Sequence, residues 1–345
     1  MKTLEILGRS GVSRIVIGSS IGQLEEFCNL ERSVIITDKT VRGLHGDLFP
    51  QCAVIEIGEG EESKTLKTVE WIYERFLELE VDRSTLVIGI GGGIVCDVTG
   101  FTASTYNRGI HFGFVPTTLL AQVDASIGGK NGVNFQRYKN LIGTINQPEF
   151  VLCDFDLLKT LPLSELKNGF AEVIKHGLIG DARLFSFLEE YGKKVLDLEP
   201  EAIERVVSDS LNVKARIVNM DEMEKGERRK LNFGHTIGHA IEKITGIKHG
   251  MAVSIGMVVA ARLSQDKSML STRETQRIET VLKEFGLPLE IKAGKEAIID
   301  AIKKDKKRTG HEINFVLLNG IGNAEVVPVR IKELEEVMDD LCQYR

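Results

Sequence analysis

The run Leu86-Val-Ile-Gly-Ile90 carries no polar side chain and leads straight into Gly91-Gly92-Gly93. A strand that is apolar on both faces has to be covered on both faces. That is the signature of a parallel sheet sandwiched between helices rather than of an antiparallel sheet with one wet face. Comparable short runs occur at Arg14–Gly18, Ser33–Thr37, Phe112–Val115 and Phe150–Cys153. Between them, Thr65–Glu80 places apolar residues at Val69, Ile72, Phe76 and Leu79, a helical spacing. The alternation predicts an α/β domain in the first half of the chain.

From about Leu161 the pattern changes. Ser164–Ile179, Ala182–Tyr191, Pro200–Met220, Asn232–Thr245, Ala252–Ser264 and Ser271–Phe285 all carry helical spacing. One strand-like piece, Glu312–Leu318, follows, and a last helix is expected from about Ile331. A chain of 345 residues suits two such domains. No linker or low-complexity tract separates them, so the boundary near residue 160 is expected to be a packed junction, where α/β proteins often place ligand sites.

Charge narrows the partners. With 44 Lys and Arg against 50 Asp and Glu, the net charge is −6. The chain lacks the basic excess of a nucleic-acid binder. A local cluster of cations inside an acidic protein still accommodates an anionic small molecule. Cys28, Cys52, Cys96, Cys153 and Cys342 are scattered and form no Cys-x-x-Cys pair. This argues against a disulfide framework or a thiolate zinc site and fits a reducing cytoplasm. The longest nearly apolar stretch, Met251–Ala261, spans 11 residues, short of the ~20 that cross a bilayer. The N-terminus shows no signal-peptide pattern. No membrane partner is expected.

Four segments have the composition of chemistry. Gly91-Gly92-Gly93 lies between a strand and a helix, where backbone N–H groups can cradle a phosphate; the plainer alternative is a tight turn that packs helix on sheet. It is neither a Gly-x-Gly-x-x-Gly nor a P-loop. His235, His239 and His249 fall within 15 residues, the first two on one helical face. Imidazoles so grouped suit a divalent metal with a carboxylate or a third histidine completing the set, and spacing alone leaves open which two are ligands. Glu172, Lys175 and His176 fall at i, i+3 and i+4 of a helix, either as an exposed ion pair or as a buried carboxylate with an anion-reading lysine. Lys130, Arg137 and Lys139, set among glycines and asparagines, read as an irregular cationic loop. Arg228-Arg229-Lys230 and Lys303–Arg308 are further charge runs.

Taken in order, Gly91-Gly-Gly93 with Asp97, Tyr106-Asn-Arg108-Gly109, Val115-Pro-Thr-Thr-Leu-Leu-Ala-Gln-Val-Asp124, Gly128-Gly-Lys130, Lys139-Asn140, Glu172-Val-Ile-Lys175, Asn232-Phe-Gly-His235-Thr-Ile-Gly-His239 and His249-Gly250 closely resemble the 3-dehydroquinate synthases, members of the sugar phosphate cyclase superfamily. The resemblance runs from about residue 37 to 320. It implies an α/β fold class: an N-terminal nucleotide-binding (Rossmann-like) α/β domain, residues 1–159, then a mainly α-helical metal- and substrate-binding domain, residues 160–345, with the active site between them. It also implies NAD, a divalent metal (zinc or cobalt) and a homodimer. The implied reaction turns 3-deoxy-D-arabino-heptulosonate 7-phosphate into 3-dehydroquinate and phosphate, the second step of the shikimate pathway. Its implied course is transient oxidation by NAD, phosphate β-elimination, re-reduction, ring opening and an intramolecular aldol, which makes the enzyme a lyase.

By the same resemblance, Glu172, His235 and His249 are the metal ligands and His239 is an acid/base group. Asp38, Glu61, Lys64, Gly92, Gly93, Asp97, Thr117, Thr118 and Asp124 line the NAD site, with Lys139 grouped beside them. Arg108, Lys130, Asn140, Lys175, Lys214, Arg228, Asn232 and Lys306 join His239 at the substrate, a phosphorylated sugar acid whose two anionic groups call for Arg and Lys. Glu224, four residues before Arg228 on a helical stretch, is expected to orient it. The pattern departs at Thr40, Gly113-Phe114, Asn131, Tyr138 and Met251, none of them a ligand or a substrate cation. Three other readings fit parts of the pattern. One is a sister cyclase acting on another heptose or hexose phosphate. Another is a metal-dependent polyol dehydrogenase, which has no reason to gather Arg108, Lys130, Lys175 and Arg228. The last is a nucleotide-sensing module without turnover.

Overall fold

The computed structural model describes residues 2–136, 138–291, 294–303, 308–309 and 312–338. Arg137, Lys306 and Cys342 lie outside them. The chain divides into two compact units, Met1–Leu166 and Lys167–Arg345.

The first unit is built on a seven-stranded sheet of β1 (Lys2–Gly8), β2 (Gly11–Ile17), β3 (Ser33–Asp38), β4 (Ala53–Ile57), β5 (Leu86–Gly91), β6 (His111–Pro116) and β9 (Phe150–Cys153), in the order β1-β2-β9-β6-β5-β3-β4. Only the β1–β2 pair is antiparallel. Every residue of β5 is buried, as its unbroken apolar run requires. Helices α1 (Lys39–His45), α2 (Leu66–Glu78) and α3 (Gly93–Thr105) connect these strands. The buried stripe of α2 is Val69, Ile72 and Phe76. From β3 the chain moves outward to β4, whereas from β5 it moves the other way to β6. The carboxyl ends of the neighbouring strands β3 and β5 therefore flank the topological switch point, where open α/β sheets bind ligands. Asp38 ends β3 and Gly91 ends β5.

The segment expected as an irregular cationic loop is instead an antiparallel hairpin, β7 (Lys130–Phe135) and β8 (Tyr138–Ile145), with an irregularity between Val133 and Phe135. Its glycines hid it. Gly132 and Gly143 face each other across the ladder, and a Cβ on Gly143 would come within 2.5 Å of Asn131 O. Asn131, one of the departures, is buried and donates from Nδ2 to Gly129 O at 3.0 Å and Asn146 O at 2.9 Å, so an amide suits this position.

The second unit is mainly helical: α4 (Leu163–Gly180, which begins just inside the first unit), α5 (Ala182–Leu196), α6 (Pro200–Met220), α7 (His235–Thr245), α8 (His249–Asp266), α9 (Thr272–Glu284), α10 (Lys295–Lys303) and α11 (Ile331–Met338). A small antiparallel sheet, β10 (Arg308–Thr309), β11 (Glu312–Leu318) and β12 (Ala324–Arg330), completes it. Two helices start elsewhere than their periodicity suggests. Glu227–Asn232 is a 3-10 turn and Gly234 adopts φ +78°, so α7 begins at His235 rather than Asn232. The α8 helix begins at His249, three residues before Ala252. No described helix is long and apolar enough to cross a membrane.

Candidate functional site

The second unit brings the histidines together through close packing of α7 and α8. A Cβ on Gly256 would lie 1.9 Å from Gly234 O, and one on Gly238 would lie 3.0 Å from Val253 Cα. With no side chains between them, the helices present His235, His239 and His249 to one another. Ring centroids are 5.1 Å apart for His235–His239, 5.1 Å for His235–His249 and 5.9 Å for His239–His249. The α4 helix closes on this pair through Asn168, whose Oδ1 accepts the Gly250 N–H at 2.5 Å. One turn further along α4 is Glu172, fully buried, and two turns along is Lys175, 1 % exposed. The ion pair of this helix is therefore buried and not exposed.

Glu172, His235 and His249 each offer a ligand atom, all within 4.8 Å of one another. His235 Nε2 lies 3.6 Å, and His249 Nε2 3.4 Å, from Glu172 Oε1. Tetrahedral ligands held ~2.0–2.2 Å from a zinc-like ion stand roughly 3.3–3.6 Å apart, so the group has the right span. Glu172 Oε2 pairs with the Lys175 ammonium. Besides this ion pair, the imidazoles of His235 and His249 approach the carboxylate. With Oε2 on Lys175, Oε1 and the two imidazole Nε2 atoms form a donor set that fits a divalent metal.

The charges balance within the group. Burial opposes the charge of Glu172, but Lys175, His249 and His235 outweigh it and hold the carboxyl well below its ordinary range. Burial, reinforced by Lys175, holds His235 well below its ordinary value, leaving a neutral imidazole. Burial also opposes charge on His249, yet hydrogen bonds to Glu172 and Glu242 raise it to about 9. His239 differs from both neighbours: it is exposed, and it is not part of the ligand-atom group.

Cationic and amide groups expected at the substrate follow in the same unit. Lys214, on α6, and Arg228 are buried, 5 % and 3 % exposed. Arg228 Nη1 donates to Glu222 O at 2.6 Å. Asn232 Nδ2 donates to Glu224 Oε1 at 2.5 Å. The segment holding Glu224 is a turn, with φ +58° at Glu224, and not the helical stretch expected. Asp221 braces this turn by accepting N–H donors from Lys225, Gly226 and Arg228 at 3.0, 2.6 and 3.1 Å. Neither Asp221 nor Glu242 stood out in the sequence. Glu242 does share a helical face with His235 and His239, seven and three residues on, which is the signal that could have found it.

In the first unit, the switch point holds the residues expected at a nucleotide. Gly92 caps α3 without a side-chain hydrogen bond, and a Cβ on Gly91 would strike Val95 at 2.5 Å. The glycines thus serve helix packing as well as leaving the N–H groups of a helix start open to an anion. Asp38 accepts the Val41 N–H at 2.8 Å and caps α1. Lys64 is buried and ion-paired with Asp97. Burial raises the Asp97 pKa to about 6 although Lys64 opposes this. Asn134, on the hairpin, donates to Glu61 Oε1 at 2.7 Å and accepts the Asn140 N–H at 2.9 Å, linking Glu61 and Asn140. The Thr117 N–H reaches Gly91 O at 2.9 Å, and Thr118 Oγ1 caps the Ala121 N–H at 3.1 Å. Asp124 sits in a single π-helical turn, Ala121–Ala125, a form frequent at functional sites. Arg108, Lys130, Lys139 and Asn140 are exposed. Arg108 and Asn140 have φ of +65° and +50°.

A Rossmann-like sheet with a glycine turn at its switch point, followed by a helical unit carrying two histidines and a glutamate, is the plan of the sugar phosphate cyclase fold. A solved 2-deoxy-scyllo-inosose synthase, in complex with carbaglucose-6-phosphate, NAD+ and Co2+, superposes with a TM-score of 0.87 at 27% identity, covering 98% of this chain and 100% of that one. The 2-epi-5-epi-valiolone synthase of Streptomyces hygroscopicus, with NAD+ and Zn2+ bound, gives 0.87 at 28% identity over 95% and 96%. A probable glycerol dehydrogenase from Sinorhizobium meliloti shares the fold alone, at 13% identity and a TM-score of 0.68.

Sequence narrows this class. Residues 54–168 match the family model for the 3-dehydroquinate synthase N-terminal part, and residues 169–308 match its C-terminal counterpart. The 3-dehydroquinate synthase of Campylobacter concisus is 42% identical over 94% of this chain and 95% of its own. That of Thermoanaerobacter pseudethanolicus is 44% identical over 82% and 80%. The chain belongs to the 3-dehydroquinate synthase family.

Proposed function

We propose that this chain is a 3-dehydroquinate synthase, a phosphate-eliminating lyase that converts 3-deoxy-D-arabino-heptulosonate 7-phosphate into 3-dehydroquinate and phosphate. The observation that carries the proposal is the buried Glu172–His235–His249 group with Lys175 against it, in a chain whose relatives at 41–44% identity are 3-dehydroquinate synthases. When bound, the divalent metal polarises a substrate hydroxyl and NAD takes up and returns a hydride.

The residues of the chain do the rest. Glu172, His235 and His249 hold the zinc or cobalt. Lys175 occupies Glu172 Oε2 and leaves Oε1 turned to both histidines. His239, exposed and one turn from His235, moves a proton at the substrate. Lys175, Lys214, Arg228, Asn232, Arg108, Lys130, Asn140 and Lys306 bind the phosphate, carboxylate and hydroxyls. Asp38, Glu61, Lys64, Gly92, Gly93, Asp97, Thr117, Thr118, Asp124 and Lys139 hold NAD, which assigns the nucleotide and three substrate residues to residues 1–159 and the metal with the other substrate residues to residues 160–345. A homodimer working in the cytoplasm completes the reading. The test is phosphate release from the heptulosonate phosphate with NAD and Zn2+ or Co2+. Release without net NADH is expected. No release sinks the reading, and accumulating NADH points to a dehydrogenase.

A further inference from the structure

The two candidate histidine ligands are anchored at Nδ1 by different chemistry. His235 Nδ1 lies 3.1 Å from Phe233 O, a neutral carbonyl two residues back. His249 Nδ1 lies 3.2 Å from Glu242 Oε2, a carboxylate on the neighbouring helix that is itself 15% exposed. With Nδ1 facing Glu242, Nε2 of His249 faces Glu172 Oε1 at 3.4 Å, and it is Nε2 that gives up its proton to become a ligand atom.

We infer that Glu242 is a positioning residue for the metal: it fixes the ring and tautomer of His249 and makes that imidazole the stronger of the two donors. The α7 helix then supplies three roles from one face: a ligand in His235, the proposed acid/base group in His239, and the residue that orients the third ligand. A carboxylate behind a ligating histidine raises its basicity, and losing such a partner weakens metal affinity by roughly 10–100-fold. Phe233 O, a carbonyl, does less for His235. The inference rests on the assignment of Glu172, His235 and His249 as ligands.

The test is a Co2+ titration of the metal-free full chain, followed by visible absorption, for the native protein, E242Q, E242D and H235A. Expected are a roughly 10–100-fold weaker Co2+ affinity in E242Q, a smaller loss in E242D, and a metal-free melting temperature close to native. E242Q binding Co2+ as tightly as the native chain overturns the inference. If E242Q does not fold, E242D carries the test: its shorter side chain cannot keep the 3.2 Å contact without a shift, and native affinity there is equally fatal. The H235A arm separates the two levels of the argument. If H235A keeps native affinity, the ligand assignment itself fails; if H235A loses the ion while E242Q binds normally, only the role of Glu242 fails.

Discussion

The candidate metal group of the second unit and the exposed segments of the first that are expected to meet an anion are prepared in opposite ways. At the candidate metal group every proposed ligand has a second partner: Phe233 O for His235, Glu242 for His249, Lys175 for Glu172. Its side chains are locked by packing between α4, α7 and α8. In the first unit the side chains expected to meet an anion, Arg108 before β6 and Lys130 and Asn140 on the hairpin, are exposed. There the preparation lies in the backbone. Asn107, Arg108 and Asn140 hold φ of +49°, +65° and +50°, a conformation costly for residues other than glycine. One region is preorganised by burial and paired charge, the other by local strain.

This contrast can be broken by mutation. The largest effect is expected at the metal group. His235→Ala should abolish metal retention and turnover together, whereas His239→Ala should retain the metal and slow turnover by about 10²–10⁴-fold. Metal analysis beside a phosphate-release assay checks both, and equal metal loss in the two variants contradicts the division of roles. Next is Gly256→Ala, which forces a methyl toward Gly234 O. A loss of about 3 kcal/mol in denaturant unfolding is expected, together with weakened metal binding; a neutral result would show that α7 and α8 have room to separate.

In the first unit the effects are smaller. Asp97 has a folded pKa of about 6 against an ordinary 3.8. The folded chain therefore binds this proton more tightly than the unfolded chain. The associated stabilisation is complete below about pH 3.8 and is lost as pH rises to about 6. Relative to Asp97→Asn, the native chain should lose on the order of 2–3 kcal/mol of unfolding free energy across that window. Parallel pH profiles would deny the shift. The smallest change is Arg108→Gly. Relieving the left-handed backbone should add roughly 0.5–1 kcal/mol of stability while substrate affinity falls. A variant that gains no stability shows that the strain is absorbed elsewhere.

Elements defined by their own periodicity were legible in the sequence. The bounds of α6 and β11 follow from an uninterrupted spacing, a proline in the first turn and a compact β-branched run. The hairpin β7–β8 was not, because glycine and asparagine carry no strand pattern even where two backbones must come this close. At the site, spacing brought His235 and His239 to one face but could not choose between His239 and His249 as a ligand. Resemblance to a family made that choice, and the exposure of His239 gives it a physical basis. Two residues that brace the site were not legible in the sequence. Glu242 and Asp221 matter through contacts that exist only once helices and turns have packed.

The most direct test is a crystal of this chain grown with Zn2+ or Co2+, located by anomalous scattering. The account predicts one peak about 2.0–2.2 Å from a Glu172 carboxylate oxygen, His235 Nε2 and His249 Nε2, with His239 outside the coordination shell. A peak bound to His239, or none at this group, would contradict it.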